Sequence, residues 1–128
     1  AESVAGWVDQ IVSSSIPRYE INLADCTAAI QWLKSNGGAG MIERAMEILA
    51  SDPMPHRTRR IYRMPDGRLR LACGSWRFYY TVEGDRVTLN EIGTAYSLSA
   101  LLAMAAASHP DQQKQLDFQL WLAGRMPT

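Results

Sequence analysis

The sequence predicts an α+β domain in which a helix hairpin packs on a four-stranded antiparallel meander sheet, with extra helices at both ends. Short segments rich in aromatic and β-branched residues follow one another between residues 60 and 94, and turn residues separate them. Apolar residues recur at helical spacing on both sides of that stretch. The chain has 128 residues, which is enough for one domain with a hydrophobic core of its own.

Four strands are predicted between Arg60 and Thr94. The segment RIYRM ends at Pro65-Asp66-Gly67, where the proline presets φ and the glycine supplies a positive value. RLRLAC ends at Gly74-Ser75, and WRFYYTV ends at Glu83-Gly84-Asp85, which leads into RVTLNEI as a hairpin. Such short links between successive strands predict an antiparallel meander.

Alternation of side chains along each strand gives this sheet two different faces. The apolar residues of the two middle strands share one face and define a core: Leu69, Leu71, Trp76, Phe78, Tyr80 and Val82. Arg68, Arg70 and Arg77 consequently share the opposite face. The span from His56 to Arg77 holds seven of the thirteen basic residues and a single acid, although the chain has no net charge. A basic stripe in a neutral protein indicates a local anion site rather than general attraction to nucleic acid.

The segment before the sheet is predicted to be largely helical. Apolar spacing predicts a helix over residues 3–13, and RYEINL, residues 18–23, is typical of a short strand. Asp25 is expected to cap a helix that ends at Lys34. A glycine-rich break and a second helix over 39–50 complete the hairpin that covers the sheet.

The segment after the sheet is predicted to form two strongly apolar helices. Ser97 or Ser99 is expected to cap the first, which runs to Ala107, and the second spans 111–123. So much apolar surface is typical of an interaction site, which would allow a homo-oligomer through these helices. The alternative is that the helix over 3–13 packs on them and completes the core.

The spacing of the cysteines and the length of the apolar runs argue against a cysteine metal site and a membrane protein. Cys26 and Cys73 have no metal-ligand spacing, so each is interpreted as a small buried thiol, with a disulfide as the alternative. No apolar run reaches the roughly 18 residues that a membrane span needs. No signal peptide is visible, and a cytoplasmic protein is therefore expected.

The order strand, helix hairpin and meander, together with local sequence, resembles the RelE/ParE superfamily of bacterial toxins. The segments that carry the resemblance are YEINLADCTAAIQWLKSN and IYRMPDGRLRLACGSWRFYYTVEGDRVTLNEIG. It covers about residues 18–101 of a single domain, 1–128, to which the helices at 3–13 and 111–123 are additions. The resemblance implies a toxin that cleaves RNA endoribonucleolytically without metal or cofactor. It also implies an antitoxin-like partner and RNA on the ribosome as the target.

The resemblance also implies which residues act. Arg68 and Arg70 stand where the family carries a basic pair, and Arg77 stands at its Gly-x-Arg position. These three are the expected catalytic residues, because fixed guanidinium groups stabilise the charge that builds on phosphorus during attack by a 2′-hydroxyl. The expected nucleic-acid-binding residues lie around them: Arg57, Arg59, Arg60, Arg63 and Tyr79.

Two departures from the family pattern keep other functions open. Thr94 and Ala95 stand where the nucleases carry basic residues, which favours a ParE-like inhibitor of DNA gyrase or a catalytically inactive binding module.

Tyr79 is favoured as a cross-strand packing partner over a base-stacking residue. Glu91 is favoured as an arginine partner over a catalytic carboxylate. His56 is favoured as an ordinary loop residue over a general base.

Overall fold

The computed structural model describes residues 19–104 and 110–125, which form an α+β fold with a five-stranded mixed sheet and four α-helices. The strands are β1 (Glu20–Asn22), β2 (Ile61–Arg63), β3 (Leu69–Cys73), β4 (Trp76–Glu83) and β5 (Arg86–Thr94). The helices are α1 (Thr27–Ser35), α2 (Ala39–Ser51), α3 (Leu98–Ala103) and α4 (Pro110–Arg125). The helix predicted over 3–13 lies outside the described residues.

The sheet has the order β1-β5-β4-β3-β2. Strands β2 to β5 form the predicted antiparallel meander. The prediction of four strands was incomplete, because β1 pairs in parallel with β5 and makes the sheet mixed. The N–H of Glu20 donates to the carbonyl of Asp85 (2.9 Å), and that of Tyr19 donates to Ala50 (3.0 Å). These long-range bonds place a three-residue strand whose partner the local sequence does not encode.

The predicted turns close the meander. Gly74 and Gly84 occupy the first central position of two-residue hairpins and have φ of 59° and 60°, as type II′ turns require. Gly67 has φ of 94° and closes the loop between β2 and β3, where the N–H of Met64 donates to the carbonyl of Arg68 (2.8 Å). The left-handed backbone at these positions explains why glycine occupies them.

The core lies between one face of the sheet and the helices. Leu71, Phe78 and Tyr80 of the sheet are completely buried, and Leu33 of α1 and Leu49 of α2 are buried in the same cluster. The Tyr80 hydroxyl donates to the carbonyl of Pro53 (2.6 Å), which satisfies a polar group that burial would otherwise penalise. Within the residues described, no helix is long and apolar enough to cross a membrane.

The sequence predicted the N-cap of one helix incorrectly and that of another correctly. The Asp25 cap was wrong: a 3₁₀ turn over Ala24–Cys26 precedes α1, and Cys26 takes the N-cap position without a side-chain bond. Asn22 Oδ1 instead accepts the N–H of Ala24 (3.0 Å), because an asparagine can turn the chain two residues on. The Ser97 cap is confirmed, since its Oγ accepts the N–H of Ala100 (3.2 Å) at the start of α3.

The last helix contributes a completely buried aromatic side chain to the core. Phe118 of α4 is completely buried, and its ring centroid lies 5.3 Å from Trp32, 5.2 Å from Trp76 and 5.8 Å from Trp121. Leu120, on the same helix, is 50% exposed. The apolar residues of α4 are therefore divided between core and surface, and a partner surface here stays a prediction.

The two cysteines are free and buried. Burial, with a smaller effect from the charge of Asp25, raises the pKa of the Cys26 thiol to about 11, and burial raises the pKa of Cys73. We expect Cys26 to react with Ellman's reagent at near-neutral pH about 10²-fold more slowly than in the denatured chain, and Cys73 to react more slowly as well, because the thiolate is the reactive form. Equal rates in the native and denatured protein would contradict this.

The raised pKa of Cys26 also predicts how the stability of the protein changes at alkaline pH. The folded-state pKa of Cys26 lies above its ordinary value of 9.0. The protonated thiol therefore contributes fully to stability below pH 9.0, and this contribution is lost as the pH rises toward about 11. The free energy of unfolding should decrease over this window, and less so in Cys26→Ala. Denaturant titrations at a series of alkaline pH values measure the difference.

Candidate functional site

The sheet face opposite the helix-covered core carries polar and charged side chains. Arg70 lies opposite Tyr79 across β3 and β4, and Tyr79 lies opposite Glu91 on β5. Arg77 lies one row further on, opposite Ala72. We call this surface the open face and define it by Arg68, Arg70, Arg77, Tyr79 and Glu91, whose side chains are partly or fully exposed. The prediction that the three arginines share one face is confirmed.

Arg68 is engaged by two carboxylates. Its Nε donates to Asp66 Oδ2 (2.8 Å), and its Nη1 donates to Glu91 Oε1 (3.1 Å). The hydrogen bond to Glu91 is the main reason that the pKa of Arg68 is raised, and the bonds that Arg68 donates lower the pKa of Asp66. The prediction that Glu91 is an arginine partner is confirmed. The positive charge of Arg68 is consequently offset by its neighbours.

Tyr79 packs within the sheet. The guanidinium carbon of Arg68 lies 4.8 Å from the centre of its ring, at cation–π distance. A Cβ at Gly93 would lie 3.4 Å from Tyr79 Cε2, so the ring lies against the bare backbone of β5. Arg68 therefore covers one side of the ring, and the tyrosine is a cross-strand packing residue.

Arg70 and Arg77 carry the unbalanced charge of the open face. Arg77 Nη1 donates to the carbonyls of Gly74 (2.8 Å) and Trp76 (2.9 Å), which orient its guanidinium group. Burial, followed by the positive charges of Arg70 and Arg60, lowers the pKa of Arg77. Arg70 Nε is buried without a hydrogen-bond partner. Within residues 19–104 and 110–125, no carboxylate forms a salt bridge with either arginine.

The remaining predicted residues lie elsewhere in the same region. Arg57 and Arg59 belong to a 3₁₀ turn before β2, where Arg59 Nη1 lies 4.0 Å from Asp52 Oδ2. Arg63 lies opposite the buried Leu69, and the alternation along β2 places it on the helix side of the sheet. His56 Nδ1 lies 2.7 Å from Thr58 Oγ1 within the loop. The stretch of seven arginines is therefore divided among several surfaces.

The end of β5 shows two residues that sequence reasoning missed. Gln119 Nε2 donates to Thr94 Oγ1 (2.8 Å), and the Oε1 of Gln115 accepts the N–H of Tyr96 (3.1 Å). Gln115 is only 2% exposed. These amides attach the end of β5 and the chain that follows it to α4. Two glutamines four residues apart, and therefore on one face of the helix, were the available signal.

Fixed positive charge is the chemistry that the open face offers. Paired guanidinium groups bind phosphate oxygens with their forked donors and stabilise negative charge that develops there. Among the described residues, no group of three or more His, Cys, Asp or Glu side chains could hold a metal ion. No protein-family model, curated protein or solved structure matches the chain.

Proposed function

We propose that this chain is a RelE/ParE-like toxin-type domain that binds RNA on the open face and cleaves it without metal. The observation that carries the proposal is the position of Arg70 and Arg77, adjacent on one face and without a carboxylate partner in the described part of the chain. Such a pair would hold the scissile phosphate and offset its charge while the neighbouring 2′-hydroxyl attacks.

The order of elements supports the same proposal. A short strand, β1, precedes the helices α1 and α2, and the meander of β2 to β5 follows. This is the order on which the resemblance to the toxin superfamily rests. The helices pack on one side of the sheet and leave the arginines on the other, where a nucleic acid can approach them.

A second candidate function is RNA binding without cleavage. Thr94 Oγ1 accepts a hydrogen bond from Gln119 and lies opposite Trp76, so it packs toward α4 and offers no charge to the open face. Arg68 is balanced by Asp66 and Glu91. Both observations reduce the number of groups that could act on a scissile phosphate.

The proposal predicts that the chain binds single-stranded RNA with an affinity that falls as salt increases. In a plot of the logarithm of the binding constant against the logarithm of the salt concentration, Arg70→Ala/Arg77→Ala should reduce the slope by about 1.4. This corresponds to about 0.7 for each lost phosphate contact. Cleavage of the same RNA should be lost in this variant and unchanged by EDTA in the native protein. Fluorescence anisotropy and gel analysis measure the two effects.

Arg86→Ala is the matched control for these measurements. Arg86 lies at the far end of β4 and β5 from Arg77 and pairs with Glu20 (3.1 Å). Its removal changes the net charge by one at the far end of the sheet, away from Arg70 and Arg77. Inhibition by EDTA, or full cleavage in the double variant, would contradict the cleavage mechanism. Binding without cleavage would favour the second candidate, and inhibition of gyrase supercoiling without RNA binding would favour the ParE-like alternative.

A further inference from the structure

Arg60 has an unusual backbone conformation beside the open face. Its φ of 61° and ψ of 44° lie in the left-handed region, and among the described residues it is the only one other than glycine with positive φ. This region is unfavourable for L-residues because Cβ crowds the following carbonyl oxygen. Arg60 ends the 3₁₀ turn over Arg57–Arg59, a position at which helical turns commonly adopt this conformation, usually with glycine.

The loop that contains Arg60 is held firmly against the sheet. His56 and Ile61 exchange two backbone hydrogen bonds, each of 3.1 Å, which close the loop over residues 57–60. The N–H of Arg60 donates to Arg57 (3.0 Å), and its carbonyl accepts the N–H of Ala72 on β3 (2.9 Å). These bonds fix the backbone of Arg60 next to Ala72.

The strand register then brings three arginines together. Ala72 lies opposite Arg77 on β4, and Arg60 is bonded to Ala72 from the other side. Since strands are about 4.8 Å apart, the backbones of Arg60 and Arg77 are separated by about 10 Å. Two extended arginine side chains can converge on one phosphate across that distance. Arg70 lies two residues before Ala72 on the same strand and face, and only a methyl group occupies the centre.

Two further observations point to a ligand at this place. The guanidinium carbon of Arg70 lies 5.9 Å from the ring centre of Tyr62, and no carboxylate among the described residues forms a salt bridge with this arginine. The charges of Arg70 and Arg60 both lower the pKa of Arg77, after the larger effect of burial. Three like charges in one place repel one another, and a bound anion would offset that repulsion.

We infer that Arg60 is the third phosphate-binding guanidinium of the open face and that, with Arg70 and Arg77, it holds one backbone phosphate of single-stranded RNA above Ala72. The inference rests on the proposed function and moves Arg60 from the surrounding residues that were expected to bind nucleic acid into the phosphate site itself. Arg68, the third arginine that the sequence suggested, already pairs with Asp66 and Glu91. Arg60 is exposed, and no carboxylate in the described ranges forms a salt bridge with it.

The variant Arg60→Gly separates binding from folding. Glycine adopts the left-handed conformation without strain, so the melting temperature should stay unchanged or rise by a few degrees. Affinity for a uridine decaribonucleotide should fall roughly tenfold, and the salt slope should flatten by about 0.7. Arg60→Lys should recover part of the affinity, because it keeps the charge and loses the forked donors. Arg86→Ala again serves as the charge-matched control.

The outcomes distinguish this inference from the function on which it rests. Native affinity in Arg60→Gly together with weak binding in Arg77→Ala would overturn the role of Arg60 and leave the RNA proposal standing. Binding of neither the decaribonucleotide nor inorganic pyrophosphate by the native protein would overturn both. Binding of pyrophosphate alone, weakened in Arg60→Gly, would support the three-arginine anion site and overturn RNA as its ligand. If Arg60→Gly does not fold, Arg60→Asn, which also tolerates left-handed backbone, decides the question.

Discussion

Phe118→Ala should lower the free energy of unfolding by about 3–5 kcal/mol, the usual cost of removing a completely buried phenylalanine. Three tryptophan rings surround this side chain: Trp32 of α1, Trp76 of β4 and Trp121 of α4 itself. The substitution would leave a cavity where helix, hairpin and sheet meet, and the ring contacts would be lost with it. A protein of this size has about 5–15 kcal/mol of stability in total, so the variant would be close to unfolding.

Urea denaturation followed by circular dichroism and tryptophan fluorescence measures this effect. Leu120→Ala is the matched control, because Leu120 lies on the same helix and is 50% exposed. Its effect should stay within about 0.5 kcal/mol. Equal losses in the two variants would show that α4 contributes no more through its buried residue than through its exposed one. An early fluorescence transition with an unchanged circular dichroism transition would show that α4 detaches separately from the sheet.

If the chain cleaves RNA by the proposed mechanism, Arg77→Ala should lower the cleavage rate by about 10²-fold or more, as the loss of one fixed charge-stabilising donor typically does. The guanidinium group is oriented in advance by its bonds to the carbonyls of Gly74 and Trp76. A group so oriented needs little reorganisation when charge develops on the phosphate. Single-turnover cleavage at saturating protein measures the chemical step apart from binding.

Two further measurements separate a loss of charge stabilisation from a loss of folding. Arg77→Lys keeps the charge without the forked donors, and its cleavage rate should fall between those of the native protein and the alanine variant. The melting temperature of Arg77→Ala shows whether the lost bonds to the Gly74 turn have disturbed the fold, since each is worth about 0.5–1.5 kcal/mol. A correctly folded Arg77→Ala with the native cleavage rate would remove Arg77 from the mechanism.

Much of the fold could be predicted because it depends on local rules. Glycine at 67, 74 and 84 marked the three hairpin loops, and each of them has positive φ in the structure. Alternation of apolar and basic residues placed Leu69 and Leu71 in the core and Arg70 on the opposite face. Turn chemistry and the period of a strand are properties of neighbouring residues, and they can be recognised without knowledge of the rest of the chain.

The placement of β1 and α4 could not be predicted in the same way. β1 has three residues and pairs with β5 more than sixty positions away. Phe118 belonged to an apolar stripe whose partner could equally have been another protein, and only packing against Trp32 and Trp76 assigns it to the core. Such contacts depend on which surfaces remain uncovered once the sheet and the helix hairpin have formed, and no local pattern records that.

The candidate site shows the same division between local and long-range information. The sequence by itself determined that Arg68, Arg70 and Arg77 share one face, because side chains on adjacent strands alternate in register. Only the tertiary structure decided that Asp66 and Glu91 balance Arg68 and that the loop bond from Ala72 brings Arg60 beside Arg77. Charge balance is set by distances between side chains that are far apart in sequence, since electrostatic energy depends on separation in space.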